Sequence, residues 1–318
     1  MKKFEKIRSK YITKIVFSYL NEKYKLKVVK YNLSLQNKLE IKLKDYKKIS
    51  GRFIIYETPT KGKEYITKNK QLIYEGDFLH GVREGNGKEY EPKKNILIYE
   101  GGFSKGKRDG NGKEYDPKER RLIYKGGFSK GIKNGNGKEY YDNLKLKFHG
   151  EFIEGKRSGK GKSYYKEGGL EFDGNYLNGI KNGKGAEYDY NGGLKFVGFY
   201  LNGKRNGKGK EYLNGALLPR NSTNGKKNNN ILTFEGNYSD GLKNGRGKEY
   251  YFEGCVKFEG EYRDGDRRFG KEYTQFGDLR YEGGFLNGKK HGIGKEYKNG
   301  RLLYKAKYVN GKKIDIYL

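Results

Sequence analysis

The sequence has no tryptophan and a single cysteine, Cys255, so no disulfide can form within the chain, and its cysteine usage is that of a reducing compartment. It has no run approaching the roughly 18 apolar residues needed to cross a bilayer as a helix. Its first residues lack the continuous apolar core of a signal peptide. The expected location is the cytoplasm, with any attachment to a membrane or the cytoskeleton peripheral. Aliphatic residues are scarce as well: hydrophobic residues make up 33% of the 318, and the mean hydropathy is -1.07. A chain this poor in Leu, Ile and Val cannot fill two ordinary globular cores. It is not a disordered composition either, because it carries 31 Tyr and 17 Phe. The apolar material is present as rings.

The formal net charge is +31, from 70 Lys+Arg against 39 Asp+Glu, so the surface attracts anions at low and moderate salt. Charge alone does not name the anion. The excess is mostly lysine, alongside abundant Asn, Ile and Tyr, a bias that an AT-rich genome also produces without selection for binding.

Self-similarity organises the rest. The segment that opens Tyr74-Glu75-Gly76-Asp77-Phe78 and closes Gly85-Asn86-Gly87-Lys88-Glu89-Tyr90 recurs about nine times. Its opening aromatic returns at Tyr99, Tyr124, Phe148, Phe172, Phe196, Phe234, Phe258 and Tyr281, with a truncated copy from Tyr304. Each copy reads as two extended pieces around a glycine-rich connection such as 104–112. The first piece alternates with a period of two: Leu170, Phe172, Gly174 and Tyr176 share one face, and Glu171, Asp173 and Asn175 take the other. A glycine between two aromatics leaves a shelf for a ring of the neighbouring strand. The expected occupants are the tyrosines ending the second strands, Tyr90, Tyr115, Tyr140, Tyr212, Tyr250, Tyr273 and Tyr297. The structural positions of the first two copies are thus Tyr74, Gly76, Phe78, Tyr90, Tyr99, Gly101, Phe103 and Tyr115. One such hairpin is unstable alone in water, so neighbours must stack. The fold class is mainly β: an elongated single-layer antiparallel β-hairpin array with a small N-terminal α-helical module.

The pattern aromatic-Glu-Gly-x-aromatic-x-x-Gly-x-x-x-Gly-x-Gly-x-x-Tyr, over about residues 74 to 311, resembles the MORN repeat (membrane occupation and recognition nexus). The resemblance implies a rod-like scaffold that binds protein or an anionic phospholipid surface. Catalytic modules attached to such repeats elsewhere have no counterpart in this sequence. Three departures stand out. The copy from Phe258 is one residue short at Gly265 to Tyr273, so its turn is expected to differ. Residues 213–233 carry about fourteen extra residues and read as a loop insertion. The last copy ends in Ile316-Tyr317-Leu318, which reads as a cap. The divisions are 1–50 as an N-terminal module, 51–73 as lead-in strands and a half repeat, and 74–318 as the array.

Residues 1–50 carry 15 Lys+Arg against 4 Asp+Glu. Ile7, Tyr11, Ile15, Val16, Tyr19 and Leu20 recur at spacings of three and four, predicting an amphipathic helix over 4–20. A second helix is expected from Glu22 with Asn21 as its cap, and a third around 35–39 capped by Ser34. The run from Ile15 to Glu22, with Leu26, Val28, Val29 and Leu35, resembles an F-box, although the usual proline and tryptophan are missing. That resemblance implies docking on a Skp-type adaptor of a cullin ubiquitin ligase through Phe17, Tyr19 and Leu20, with the repeats capturing substrate. The alternatives are a cap over the first strand edge and a basic helix lying on an anionic membrane.

A repeated sheet offers the same residues over and over, whereas catalysis needs unique ones in defined roles. His80, His149 and His291 fall at different repeat positions and form no ligand cluster. Glu75 and Glu89 recur in most copies, as cross-strand partners of lysine would. No catalytic residue, metal or cofactor is expected. Recognition remains. Lys107, Arg108, Lys133, Lys156, Arg157, Lys181, Lys204, Arg205, Lys243, Lys289 and Lys290, near the turns, are expected to project as a row along one edge. Such a row suits the phosphates of lipid or an acidic protein. It is charge-compatible with nucleic acid, a weaker reading because the rings are committed to the sheet. Equally, it could be a solubilising lysine edge. The sequence leaves the oligomeric state open.

Overall fold

A computed structural model describes residues 9–20, 24–25, 29, 33–40, 51–214 and 230–317. The chain divides into two compact units, residues 1–132 and 133–318.

In the first unit, helix α1 (Lys10–Ser18) is capped by Ser9, whose side chain accepts from the Ile12 N–H. Helix α2 (Leu33–Leu39) already begins before Ser34, so Ser34 lies inside it and is not its cap. Tyr24, Lys25 and Val29 between them are helical, while the proposed cap at Asn21 and Glu22 lies outside the described residues, as do residues 4–8 of the first predicted helix. Phe17, Val29, Leu35 and Leu39 form a small core, with Leu20 packed against it.

The same unit holds β1 (Arg52–Tyr56), β2 (Lys61–Ile66), β3 (Leu72–Leu79), β4 (Val82–Glu91), β5 (Ile96–Ser104), β6 (Lys107–Tyr115) and β7 (Leu122–Ser129). From β1 to β7 each strand pairs antiparallel with its neighbour in sequence. The second unit continues the alternation with β8 (Ile132–Tyr140), β9 (Leu146–Ile153), β10 (Lys156–Tyr164), β11 (Leu170–Leu177), β12 (Ile180–Tyr188), β13 (Leu194–Leu201), β14 (Lys204–Asn214) and β15 (Asn230–Ser239). It ends in β16 (Leu242–Tyr250), β17 (Val256–Arg263), β18 (Asp266–Tyr273), β19 (Leu279–Leu286), β20 (Lys289–Lys298), β21 (Arg301–Val309) and β22 (Lys312–Tyr317). Pairing is again sequential and antiparallel, from β8–β9 to β21–β22. Among the described residues no pairing joins the first strand of a unit to its last, as a closed barrel would require.

The hairpin connection is shorter than the glycine content suggested. Each turn is two residues, both with positive φ, as at Asn178 (52°) and Gly179 (88°), which matches the right-handed twist of the flanking strands. The remaining glycines of the connection belong to the second strand, where the register slips in a bulge. Successive turns are tied by backbone bonds such as Gly179 N–H to the Arg157 carbonyl, 2.8 Å. The short copy keeps its turn, Asp264 (52°) and Gly265 (92°), contrary to expectation. It loses instead a bulge residue, at the place Gly245 fills in the preceding copy. The insertion is also narrower than 213–233, because Leu213 pairs with Ile231 and Asn214 with Asn230; residues 215–229 lie outside the described residues.

One face of each sheet is a ladder of rings. Phe172 stands edge-on to Tyr176 of its own strand (5.4 Å) and to Tyr200 of the next hairpin (5.1 Å), and the first unit repeats this with Tyr74, Phe78 and Phe103. The opening rings Tyr74, Tyr99, Tyr124, Phe148, Phe172, Phe196, Phe258 and Tyr281 are fully buried. Each lies over a pair of facing glycines, such as Gly174 opposite Gly185. A Cβ on Gly185 would stand 2.2 Å from the Phe172 ring. The ring on the glycine shelf is therefore the opening aromatic and not the second-strand tyrosine. Strand alternation places Glu89, opposite Tyr74, on the ring face, so Tyr90 turns to the other side. There its hydroxyl donates to Glu75 (2.6 Å), and Tyr115 and Tyr273 donate likewise to Glu100 and Glu259.

Candidate binding surfaces

The expected basic row divides by strand alternation. The first residue of each second strand flanks the turn and is exposed: Lys107, Lys156, Lys204 and Lys289. The next residue points to the ring face. Arg108, Lys133, Arg157, Lys181, Arg205, Lys243 and Lys290 lie there, partly buried, and do not form a free edge.

Arg205 shows why. Its guanidinium lies 4.2 Å from the centroid of Phe196 and bridges Glu187 (3.0 Å) and Glu211 (2.8 Å), the glutamates that end two successive second strands in Gly-Ala-Glu-Tyr and Gly-Lys-Glu-Tyr. Arg108 bridges Glu89 and Glu114 over Tyr99 in the same way. Arg83 and Arg267, which the sequence reading passed over, hold equivalent places. Their signal was present: each is the second residue after its turn. At Ser163 the glutamate is missing, and the Ser163 hydroxyl donates instead to Glu171 (2.9 Å).

Burial pushes the Glu187 carboxyl up, but the hydrogen bond from Arg205 and the charges of Lys181 and Arg205 outweigh it and hold the group below its usual 4.5. Glu249 is depressed in the same way, burial being outweighed chiefly by Arg267. A carboxylate with a depressed folded pKa contributes stability in full above its unfolded value and loses it as pH falls through the folded one. The melting temperature should thus hold from pH 7 to 5 and fall steadily below about pH 4.5. Melts across that range check this, and a flat profile down to pH 3 would contradict the ladder.

The opposite face carries its own ladder of cross-strand pairs, for example Lys113 with Glu100 (2.6 Å) and Lys210 with Glu235 (3.1 Å). Glu75 thus faces away from Glu89 and pairs with Lys88 and Tyr90. In the second unit this face has features that are not repeated. Val197 stands where other copies carry charged or polar residues, Phe199 where they carry these or glycine, and Ala186, opposite Val197, replaces the usual lysine. They line a hollow of about 470 Å³, which shares Val197 with an open groove of about 880 Å³ over Gly209, Gly236 and Gly247.

The turn edge combines charge with apolar surface. Ile153, Leu177, Ile180, Leu201 and Leu242 flank turns of the second unit and are about half exposed, alongside Lys156, Lys204 and Lys289. In the N-terminal module, Phe17 and Leu20 belong to the core, so of the three residues assigned to docking only Tyr19 is exposed, at 86%. The exposed apolar side chains of α1 are instead Ile12, Ile15, Val16 and Tyr19, which share one helical face with Tyr11 beside them. No described helix is long and apolar enough to cross a membrane.

Single-layer antiparallel hairpins with rings over facing glycines define a repeat-scaffold class. The MORN repeat family matches residues 74–92, 99–118, 124–144, 148–170, 172–194, 196–215, 234–256 and 281–300, and the chain belongs to that family. The matched spans step over the copy at Phe258, the one with the contracted bulge. No curated protein matches the chain.

Proposed function

We propose that the chain is a non-enzymatic scaffold whose turn edge, in the second unit, lies on an anionic membrane surface. The observation carrying this reading is the occurrence of exposed lysines and half-exposed aliphatics at the same turns, Ile153 with Lys156 and Leu201 with Lys204, and of further aliphatics at neighbouring turns. Lysine alone would suit any phosphate-bearing partner. Leu177, Ile180 and Leu201 gain nothing from a nucleic acid backbone but can enter the acyl boundary of a bilayer, while each nearby lysine adds about 1 kcal/mol on an anionic leaflet. Vesicles of phosphatidylcholine with phosphatidylserine and a phosphoinositide should float with the protein, and plain phosphatidylcholine vesicles should not. Lys156→Glu, Lys204→Glu and Lys289→Glu together should reduce binding at least about tenfold. Leu177→Ser with Leu201→Ser should remove the part that survives high salt. Absence of flotation even at low salt would end this reading.

A second reading is favoured by the exposed α1 face: docking of a Skp-type adaptor through Ile12, Ile15, Val16 and Tyr19. Ile15→Asp with Tyr19→Asp should then abolish co-purification with the adaptor while leaving the module folded. Failure of the wild-type chain to co-purify would remove it.

A further inference from the structure

In an array every copy meets the same structural demands, so an exposed residue that departs from its equivalents is not required by the fold. On the face opposite the rings, one position in the second strand runs Asn86, Asn111, Asn136, then Lys160, Lys184, Lys208, Arg246, then Phe269 and Ile293. The four cations fall on consecutive hairpins of the second unit and are all exposed. Across the strand Lys160 faces Asn175, Lys184 faces Phe199 and Lys208 faces Asn237; Arg246 faces Glu261. Among the described residues none of the four is in an ion pair, in contrast to the Lys113–Glu100 and Lys210–Glu235 pairs of the neighbouring position. Between the middle two cations lies the apolar island of Val197 and Phe199, 40% and 43% exposed, and Lys184 and Lys208 line the two hollows that meet at Val197.

We propose that this groove binds an extended acidic peptide carrying an apolar pair at its centre. Charge complementarity selects the acidic partner, and the island selects against a purely electrostatic one. The spacing fixes its pattern. Two strands at about 4.8 Å each place successive hairpins about 10 Å apart, close to one turn of a ligand in the polyproline II conformation, three residues at about 3.1 Å each, which returns every third side chain to the same face. An acidic residue at every third position therefore meets the four cations in turn, and two apolar residues between the second and third acids fall on Val197 and Phe199. Bare glycine backbone on the groove floor lets the ligand chain approach closely. The site is separate from the turn edge, and its occupation does not depend on the lipid reading.

The probe is a fluorescent peptide, Asp-Ser-Ser-Asp-Leu-Phe-Asp-Ser-Ser-Asp, titrated against the full chain without lipid. It should bind at least about tenfold more tightly than the same peptide with Leu-Phe replaced by Ser-Ser. Lys184→Glu with Arg246→Glu should weaken it at least about tenfold, and Phe199→Ser about fivefold or more. These side chains are exposed, so circular dichroism and melting should match wild type. Equal binding of the two peptides, or none at low salt, would overturn the proposal, as would tighter binding of a ten-base single-stranded oligonucleotide that Phe199→Ser leaves intact. Vesicle flotation of the Lys184→Glu, Arg246→Glu variant separates the two sites: retained flotation with lost peptide binding is the expected result. Flotation lost along with peptide binding would make them one surface and contradict the separation.

Discussion

Replacing Gly185 by valine will destabilise the second unit by about 3 kcal/mol or more, the effect of forcing side-chain atoms into a packed ring. A Cβ there meets Phe172 at 2.2 and 2.5 Å, and that ring cannot withdraw. Tyr176 and Tyr200 stand edge-on to it, and the Lys181 ammonium lies 4.6 Å from its centroid. The facing glycine offers no relief either, since a Cβ on Gly174 would stand 2.6 Å from the Gly185 Cα. Gly169→Ala is the control, because a Cβ there has only ordinary contacts, at 3.5 Å and beyond. Denaturant unfolding followed by tyrosine fluorescence checks both, and equal stability for the two variants would deny the shelf its role.

Arg205→Ala should cost about 3 kcal/mol, because it removes the shared cation from two partly buried carboxylates, Glu187 and Glu211, and uncovers the face of Phe196. The loss is one of unpaired charge as much as of lost contact. Arg205→Lys should recover more than half of it, since Lys181 and Lys243 occupy the same place over Phe172 and Phe234 in neighbouring copies. As pH falls through the depressed folded pKa of Glu187, the difference between wild type and Arg205→Ala should shrink. A loss unchanged by pH would assign Arg205 to packing alone.

The repeat register, the two strands per copy and the ring face of the first strand were legible in the sequence because period-two alternation is written directly in Leu170, Phe172, Gly174 and Tyr176. The second strand was not. Its start was hidden, because Gly183 and Gly185 read as part of the connection although only Asn178 and Gly179 form the turn, and the bulge between Lys181 and Gly185 conceals the pairing. Strand residues read as turn account for two corrections: the second-strand tyrosines lie opposite the face expected of them, and the residue after each Lys107-type position is a ladder cation. The exposed departures Lys184, Val197 and Phe199 stood in plain view in the sequence, but without the register there was no way to place them on a common face.

The account rests on rings buried over glycine pairs, and spectrophotometric titration of the phenols tests that burial most directly. Burial pushes Tyr99 and Tyr281 up to about 12 and carries Tyr74 higher still. The titration should therefore show two classes: exposed phenols ionising near 10, and a late class that ionises only around pH 12 or above, together with loss of the strand signal in circular dichroism. A single class titrating near 10 with the sheet intact would show that the rings are not buried, and would contradict the account at its base.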